Sequence, residues 1–211
     1  MPPVTDGGVM ELIVGHLRSL ARFSGREARQ PFWFWVLAVM ATALVVWMAY
    51  FVVLIGQVER FATANPDQVT RTVGPGSYSV QIQGNHPEIG VQFANSALVM
   101  AIIAAVAIML LAAAVARRLH DSGRAGWWGL PTPVLLMGGM ILMRRMFAVM
   151  AAAPASDSPE GPPIDFSLFG LIMLCNLAYL ISLVVLIILC TLPGQAGDNR
   201  HGPPANGKGT P

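Results

Sequence analysis

Four long runs of apolar residues, each free of charged side chains and of histidine, constrain this chain more than any other feature of its sequence. A helix needs ~20 consecutive apolar residues to cross the hydrocarbon core of a bilayer. A water-soluble domain normally carries about a quarter charged residues, whereas this chain carries 11%. The sequence therefore predicts an all-α integral membrane protein with four transmembrane helices, at about residues 33–55, 98–116, 127–143 and 168–192.

The third apolar run is the weakest of the four. Pro131, Pro133 and the pair Gly138–Gly139 interrupt it, and Arg144 and Arg145 follow it directly. The sequence leaves open whether this segment spans fully. The first run follows a segment without the basic start, short apolar core and cleavage site of a signal peptide, so we expect the mature protein to keep it as an anchor.

The remaining sequence predicts one membrane domain with small additions. Residues 1–8 and 205–211 are expected to be disordered, and residues 9–204 to form a single four-span domain. Apolar residues recur at helical spacing over residues 9–23, with basic residues on the other side, which is typical of an amphipathic helix lying in the membrane interface. Between the first two spans, Val69–Val73 and Tyr78–Ile82 alternate in polarity about Gly74–Ser77, which predicts a small outer β-hairpin.

The polar and sulfur-containing residues inside the spans do not indicate a cofactor. Cys175 and Cys190 would lie about 22 Å apart on one helix at 1.5 Å per residue, so they cannot bridge each other and are interpreted as small apolar fillers. Asn176, Tyr179 and Ser182 are more typical of hydrogen bonds between helices than of substrate ligands. We expect no metal, no cofactor and no catalytic residue.

The distribution of basic residues predicts the orientation, because lysine and arginine accumulate on the cytoplasmic side of membrane proteins. Nine of the thirteen basic residues precede the first span, follow the fourth or lie between the second and third. Both termini and residues 117–126 are therefore predicted to be cytoplasmic, and residues 57–96 and 146–166 to be outside, in a bacterial inner (plasma) membrane. The net charge of +2 is too small to indicate nucleic-acid binding.

The segment RRLHDSGRAGWWGL, residues 117–130, carries the strongest local signal. Its arginines can favour the carbonyl end of a helix, Gly123 can form a left-handed cap, and Trp127 and Trp128 suit the depth at which indoles prefer to sit. A metal-dependent hydrolase is the weaker interpretation, since the other histidines do not complete a metal shell. The anchoring interpretation leaves Asp121 unexplained.

Two further segments lie at the predicted cytoplasmic face. FSGREARQPFWFW at 23–35 again has Ser-Gly-Arg followed by aromatic residues that enter a span, and LPGQAGDNRHGP at 192–203 is a glycine-rich turn with Asp198 and Arg200 that leaves one. Together, the three segments resemble the motifs of the bacterial inner-membrane family of domain of unknown function 805, over about residues 18–204. In order along the chain, the matching residues are Gly25, Arg26, Arg29, Phe32 and Trp33, then Arg117, Arg118, His120, Asp121, Gly123, Trp127 and Trp128, then Pro193, Gly194, Gly197, Asn199 and Gly202.

The resemblance implies a small polytopic membrane protein and brings no established activity with it. The leading hypothesis is a non-enzymatic membrane protein that acts through a cytoplasmic cluster of these motif residues, in contacts with membrane lipids or partner membrane proteins. A small transporter or channel component is the alternative, a homo-oligomer is a further expectation, and an enzyme ranks third.

Asp121 gives the most specific expectation about this cluster. An acid among arginines at a membrane surface is costly to leave unpaired if it is partly buried. We therefore expect its carboxylate to bond a guanidinium from Gly25–Arg29, with His120 and Asn199 in the same cluster. The three motifs would then join the cytoplasmic ends of the helices, with Trp127 and Trp128 at the membrane edge.

Overall fold

The computed structural model describes residues 6–82, 86–152 and 165–205. Short 3₁₀ turns at Pro66–Gln68 and Gly126–Gly129 accompany the main elements. In chain order these elements are α1 (Asp6–Arg18), α2 (Arg29–Ala64), β1 (Val69–Gly74), β2 (Ser77–Ile82), α3 (Pro87–Asp121), α4 (Pro131–Ala152) and α5 (Phe166–Thr191).

The predicted fold class is confirmed: the chain is an all-α integral membrane protein. Within the described residues, four helical segments are long and apolar enough to cross a membrane: Arg29–Ala64, Val91–Asp121, Gly126–Val149 and Phe166–Thr191. The helices are longer than the apolar runs, most of all at the start of α3, which begins at Pro87 rather than at residue 98. Polar residues beyond the hydrocarbon region can extend a helix into water, whereas hydropathy marks only the part in contact with lipid.

The third segment is helical throughout its apolar part. Pro131 and Pro133 lie in the first turn of α4, where a missing backbone N–H removes no hydrogen bond within the helix. Gly138 and Gly139 lie beside α5, where added Cβ atoms would be 3.9 and 3.7 Å from the Cys175 sulfur. The proline and glycine residues that weaken this segment in sequence therefore start the helix and allow α4 and α5 to approach closely.

The helices pack in sequence order, with α3 between α2 and α4 and with α5 against α4. The buried core is at one end, where Phe32, Trp35 and Val39 of α2 meet Ala114 of α3 and Cys190 of α5. We call this the clasp end, because the three motif segments lie there, and the opposite end the hairpin end. Elsewhere most large side chains of α2 and α5 are exposed, as expected for surfaces covered by lipid.

The outer hairpin is confirmed in its predicted register. β1 and β2 are antiparallel, with Val69 opposite Ile82 and Val73 opposite Tyr78. An isolated two-stranded hairpin is only marginally stable in water, and here it is tied to the end of α2. The Tyr78 hydroxyl donates to Glu59 Oε1 at 2.8 Å, and Arg71 lies 3.5 Å from Glu59 Oε2.

The N-terminal helix is short and begins earlier than residue 9, at Asp6. Ile13 and Leu20 pack against the core at the clasp end, while Met10 and Leu17 are exposed. One side of this segment therefore packs on the helical bundle and the other faces outward. The rest of the segments expected to be disordered, residues 1–5 and 206–211, lies outside the described residues.

Candidate functional site

Glycines with positive φ shape the loops at the clasp end. Gly25 has φ +95° just before α2, and Gly202 has φ +115° in the segment after α5. Gly123 has φ +77° immediately after α3, so the predicted left-handed cap is present. These turns fold the loops back over the helix ends and bring the three motif segments together.

Asp121 receives two guanidinium groups. Arg26 Nε donates to Oδ1 at 2.9 Å, and Arg118 Nη1 donates to Oδ2 at 2.5 Å. Asp121 is 5% exposed, and Arg118 is fully buried. The expected contact between Asp121 and the Gly25–Arg29 segment is therefore confirmed, with Arg26 as the partner rather than Arg29.

Arg26 also binds the segment that follows α5. Its Nη1 donates to the Gly197 carbonyl at 2.7 Å and to the Gly202 carbonyl at 3.4 Å, and its Nη2 donates to the Gln195 carbonyl. The backbone N–H of Gln195 in turn donates to the backbone oxygen of Asp121 at 2.9 Å. One side chain from the first motif thus connects the second and third motifs.

Arg118 binds the carbonyl end of α5. Its Nε donates to the Cys190 carbonyl at 2.8 Å, and its Nη2 donates to the Leu192 carbonyl. The last four carbonyls of a helix have no partner within the helix, and a cation there is also favoured by the helix dipole. Arg118 lies in the last turn of α3, as predicted, and its side chain also binds the carbonyl end of α5.

A second charged cluster lies next to the first and includes a residue that the motifs did not single out, Glu27. His16 Nε2 lies 2.7 Å from Glu27 Oε1, and Arg117 donates to Glu27 Oε2 from Nε at 2.8 Å. The Glu27 carbonyl also accepts a 3.3 Å bond from Arg118 Nη1, which joins the two clusters. We call His16, Arg26, Glu27, Arg117, Arg118 and Asp121 together the polar clasp.

The polar clasp fixes α1 to the bundle. The His16 ring stacks on Trp35 of α2, with centroids 5.0 Å apart and an interplanar angle of 11°. Trp35 Nε1 donates to the Leu110 carbonyl of α3 at 2.9 Å. Arg117 Nη1 donates to the Ser19 and Arg22 carbonyls just after α1. These contacts join α1, α2 and α3.

A pair of stacked histidines closes the outer edge of the clasp. The rings of His120 and His201 are 3.7 Å apart at an angle of 5°. His120 Nδ1 lies 3.3 Å from the Gly25 carbonyl, and Asn199 Nδ2 donates to the His120 carbonyl at 3.0 Å. Burial lowers the pKa of His201 from its ordinary value, and the nearby positive charges of His120, Arg200 and Arg26 lower it further. His120 and Asn199 thus lie in the expected cluster.

With this geometry in place, the comparison with known families becomes informative. A family model described as protein of unknown function (DUF805) matches residues 20–160. This chain belongs to the DUF805 family. The match covers the first two motif segments and ends before the third, which binds to them through Arg26 and Asn199. No curated protein matches the chain, and no solved structure does so either.

The other motif residues of this DUF805 chain lie outside the polar clasp. Arg29 is exposed, while Trp33 packs edge-on against the buried Phe32 at 5.1 Å. Trp127 and Trp128 stack on each other at 4.8 Å and remain 59% and 46% exposed, which is suited to the membrane interface. A Cβ at Gly194 would overlap the Asp121 carboxylate.

The buried polar groups of the polar clasp are all hydrogen-bonded. In the described part of the chain, no buried side-chain nitrogen or oxygen lacks a hydrogen-bond partner. Within the same residues, no group of three or more His, Cys, Asp or Glu side chains is placed to hold a metal ion. Its charged groups are used to bind one another and the backbone, an arrangement that fixes the positions of helix ends.

Sequence reasoning missed His16 and Glu27, although a usable signal was present. Glu27 is an acid within a basic segment beside a span, and this is the same feature that drew attention to Asp121. His16 lies on the short helix before it, where only the apolar spacing was considered. Gln195 contacts Arg26 and Asp121 through its backbone, so its residue type gives no signal for these two contacts.

Proposed function

We propose that this DUF805 protein is a non-enzymatic protein of the bacterial inner membrane that contacts anionic lipid headgroups through the surface around the polar clasp. The observation that carries the proposal is the internal pairing of the clasp, which leaves the surrounding surface for contacts with other molecules at this end of the protein. The side chains of that surface are largely basic: Arg18, Arg22, Arg29 and Arg200 are exposed, and Arg124 is half-buried.

The apolar residues of the same surface support a membrane contact. Met10, Leu17 and Phe23 are 63%, 47% and 52% exposed, and they lie in the same segment as Arg18 and Arg22. Exposed apolar side chains next to arginines are typical of segments that lie among headgroups. Each basic residue near an anionic membrane surface contributes about 1 kcal/mol to binding.

The proposed orientation puts the clasp end in the cytoplasm. It rests on the nine of thirteen basic residues assigned to that end, following the positive-inside rule. A reporter that is active only after export should be active when fused at Asp67, in the hairpin segment, and inactive when fused after Ala205. The reverse pattern would contradict the orientation without affecting the fold.

Quenching of tryptophan fluorescence by brominated lipids tests the lipid contact. Trp33, Trp35, Trp127 and Trp128 lie at the clasp end, and a Trp47→Phe background removes the remaining tryptophan. Full-length protein is reconstituted in phosphatidylcholine vesicles containing a small fraction of either brominated phosphatidylglycerol or brominated phosphatidylcholine. The anionic lipid should quench more strongly, and 0.5 M salt should reduce the difference because salt screens exposed charges.

Paired substitutions at the two ends of the molecule provide the control. Arg22→Gln with Arg29→Gln removes two exposed charges at the clasp end and should make the two brominated lipids quench nearly equally. Arg60→Gln with Arg71→Gln removes two charges at the hairpin end and should leave the preference for phosphatidylglycerol intact. Equal quenching by both lipids in the unsubstituted protein would refute the proposal.

A small transporter or channel component is the second candidate, and one observation favours it: a cavity of about 370 Å³ between α3, α4 and α5, lined in part by Ser96, Asn176 and Tyr179. A transport pathway would have to contain water. The test uses Asn176→Cys in a protein whose native cysteines are replaced by alanine. If the cavity contains water, this cysteine should react with a membrane-impermeant thiol reagent. Reaction only with a lipid-soluble reagent would count against transport.

A further inference from the structure

The cavity between α3, α4 and α5 has mostly apolar walls. Besides its three polar residues it is lined by Ala97 and Met100 of α3 and by leucine, methionine and phenylalanine side chains of α4. Most of these side chains are half-buried, so the cavity is a groove with an accessible side rather than a sealed void. An apolar, half-open groove among membrane helices is suited to a hydrocarbon chain.

The groove has the length and depth of a lipid tail. Its lining on α4 extends from Phe147 to Leu135, about 18 Å at 1.5 Å per residue. Beyond Leu135, towards the clasp end, α4 and α5 are joined by a 2.7 Å hydrogen bond between Thr132 and Ser182. The groove therefore extends from the hairpin end into the membrane and stops where these helices come together.

Two arginines lie where the headgroup of such a lipid would be. Arg144 and Arg145 follow the groove residue Met143 and are exposed. Arg144 is about 27 Å along the helix from Gly126, close to the ~30 Å thickness of the hydrocarbon core. Within the described residues, Arg144 has no ion pair. Arg145 interacts electrostatically with Asp165, whose carboxylate already accepts bonds from the backbone N–H groups of Ser167 and Leu168 at the start of α5.

We propose that the groove binds one anionic phospholipid from the leaflet at the hairpin end. One acyl chain lies between α3, α4 and α5, and the phosphate is held by Arg144 with help from Arg145. Unpaired positive charge on Arg144, about one turn before the groove ends at Phe147, matches the two parts of such a lipid. The site is at the opposite end of the molecule from the surface around the polar clasp, so it does not depend on the proposed function.

Native mass spectrometry of the full-length protein in detergent tests this site. Phosphatidylglycerol should bind at one saturable site, and phosphatidylcholine with the same acyl chains should bind more weakly. Arg144→Gln should weaken phosphatidylglycerol binding about fivefold, the effect expected from one basic residue at a membrane surface. Arg60→Gln removes an exposed charge at the same end but outside the groove, and should leave the affinity unchanged.

Filling the groove provides the second arm of the test. Ala97→Trp puts a large ring into the groove and should abolish the saturable site, whereas Leu98→Trp, at an adjacent residue that is 42% exposed, should not. If Ala97→Trp does not give a monodisperse protein, Ser96→Leu fills the groove from the same turn of α3. Binding that is unchanged by Arg144→Gln and by either filling variant, or equal for the two lipids, would overturn the proposal.

The test of the groove can fail independently of the test of the surface around the polar clasp. Arg22→Gln with Arg29→Gln should leave the saturable site in the groove intact while it removes the difference in fluorescence quenching. Glycerol phosphate, which has the anionic group without acyl chains, should not compete for the groove even at millimolar concentration. Effective competition would mean that the arginines bind a free anion, and the lipid assignment would then be wrong.

Discussion

Gly194 shows at the scale of single residues how closely the motif segments pack. A Cβ at this position overlaps the Asp121 carboxylate, which Arg26 and Arg118 hold in place. Gly194→Ala should therefore lower the free energy of unfolding by about 1–3 kcal/mol, the usual cost of overpacking. Gly197→Ala is the matched control, because nothing lies within 4 Å of a Cβ there. Equal thermal unfolding midpoints for the two variants in detergent would contradict this packing.

His201 should make stability depend on pH. Its pKa is lowered in the folded protein, first by burial and then by neighbouring positive charges, whereas in the unfolded chain it titrates near 6.5. The unfolded state therefore binds more protons as the pH falls below about 6.5, so stability is lost on acidification and restored above that value. The Arg200 Nε, which donates to His201 Nε2 at 3.0 Å, also favours the neutral ring.

The substitution that isolates this effect is His201→Phe, which can keep an aromatic ring stacked on His120. The unfolding midpoint of the unsubstituted protein should fall more steeply between pH 7 and pH 5 than that of the variant. Parallel pH profiles for the two proteins would mean that the stacked pair does not contribute to the pH dependence.

At the scale of secondary-structure elements, Glu27 is expected to decide whether α1 stays in place. It is the acid that both His16 and Arg117 contact, and the three residues are at most 8% exposed. Removing one partner of a buried ion pair leaves an uncompensated charge and is strongly destabilising. Glu27→Gln should therefore increase amide hydrogen exchange over residues 6–18, which form α1. Glu11→Gln, which replaces an exposed acid of α1, should not. Unchanged protection in the Glu27 variant would argue against this anchor.

The elements themselves were largely predictable from the sequence. Hydropathy located all four spans, and alternating polarity gave the hairpin strands within one residue, because both signals depend on local patterns. The helix ends were less predictable: α2 continues through Glu59 and Arg60 to Ala64, and α3 begins at Pro87. Those turns lie outside the apolar runs, so their helical structure depends on contacts such as Tyr78 with Glu59.

The composition of the site was predictable only in part. An unexplained acid among arginines correctly indicated a buried pair at Asp121, but the sequence could not distinguish Arg26 from Arg29 as its partner. That choice depends on the turn at Gly25, whose φ of +95° determines which side chains of the segment face inward. Arg118 binds α5 in addition to Asp121 of its own helix because packing brings the end of α5 beside it, and no local pattern encodes that approach.

The two ends of the whole molecule differ in packing and in surface. At the clasp end a buried core and a network of charged side chains hold the helices together, and the surface around them is basic. At the hairpin end α3, α4 and α5 leave an apolar groove next to Arg144 and Arg145. The proposed lipid contacts use both ends, while the fold depends mainly on the first.

A double-mutant cycle between Arg26 and Asp121 in the full-length protein tests whether the polar clasp joins the three motif segments. Arg26→Gln and Asp121→Asn should each lower the free energy of unfolding, and the double variant should be more stable than the sum of the two effects predicts, with a coupling of about 0.5–3 kcal/mol. Arg29→Gln with Asp121→Asn should be additive within about 0.5 kcal/mol. Small, additive effects for Arg26 and Asp121 would show that the three motif segments are not joined by the polar clasp.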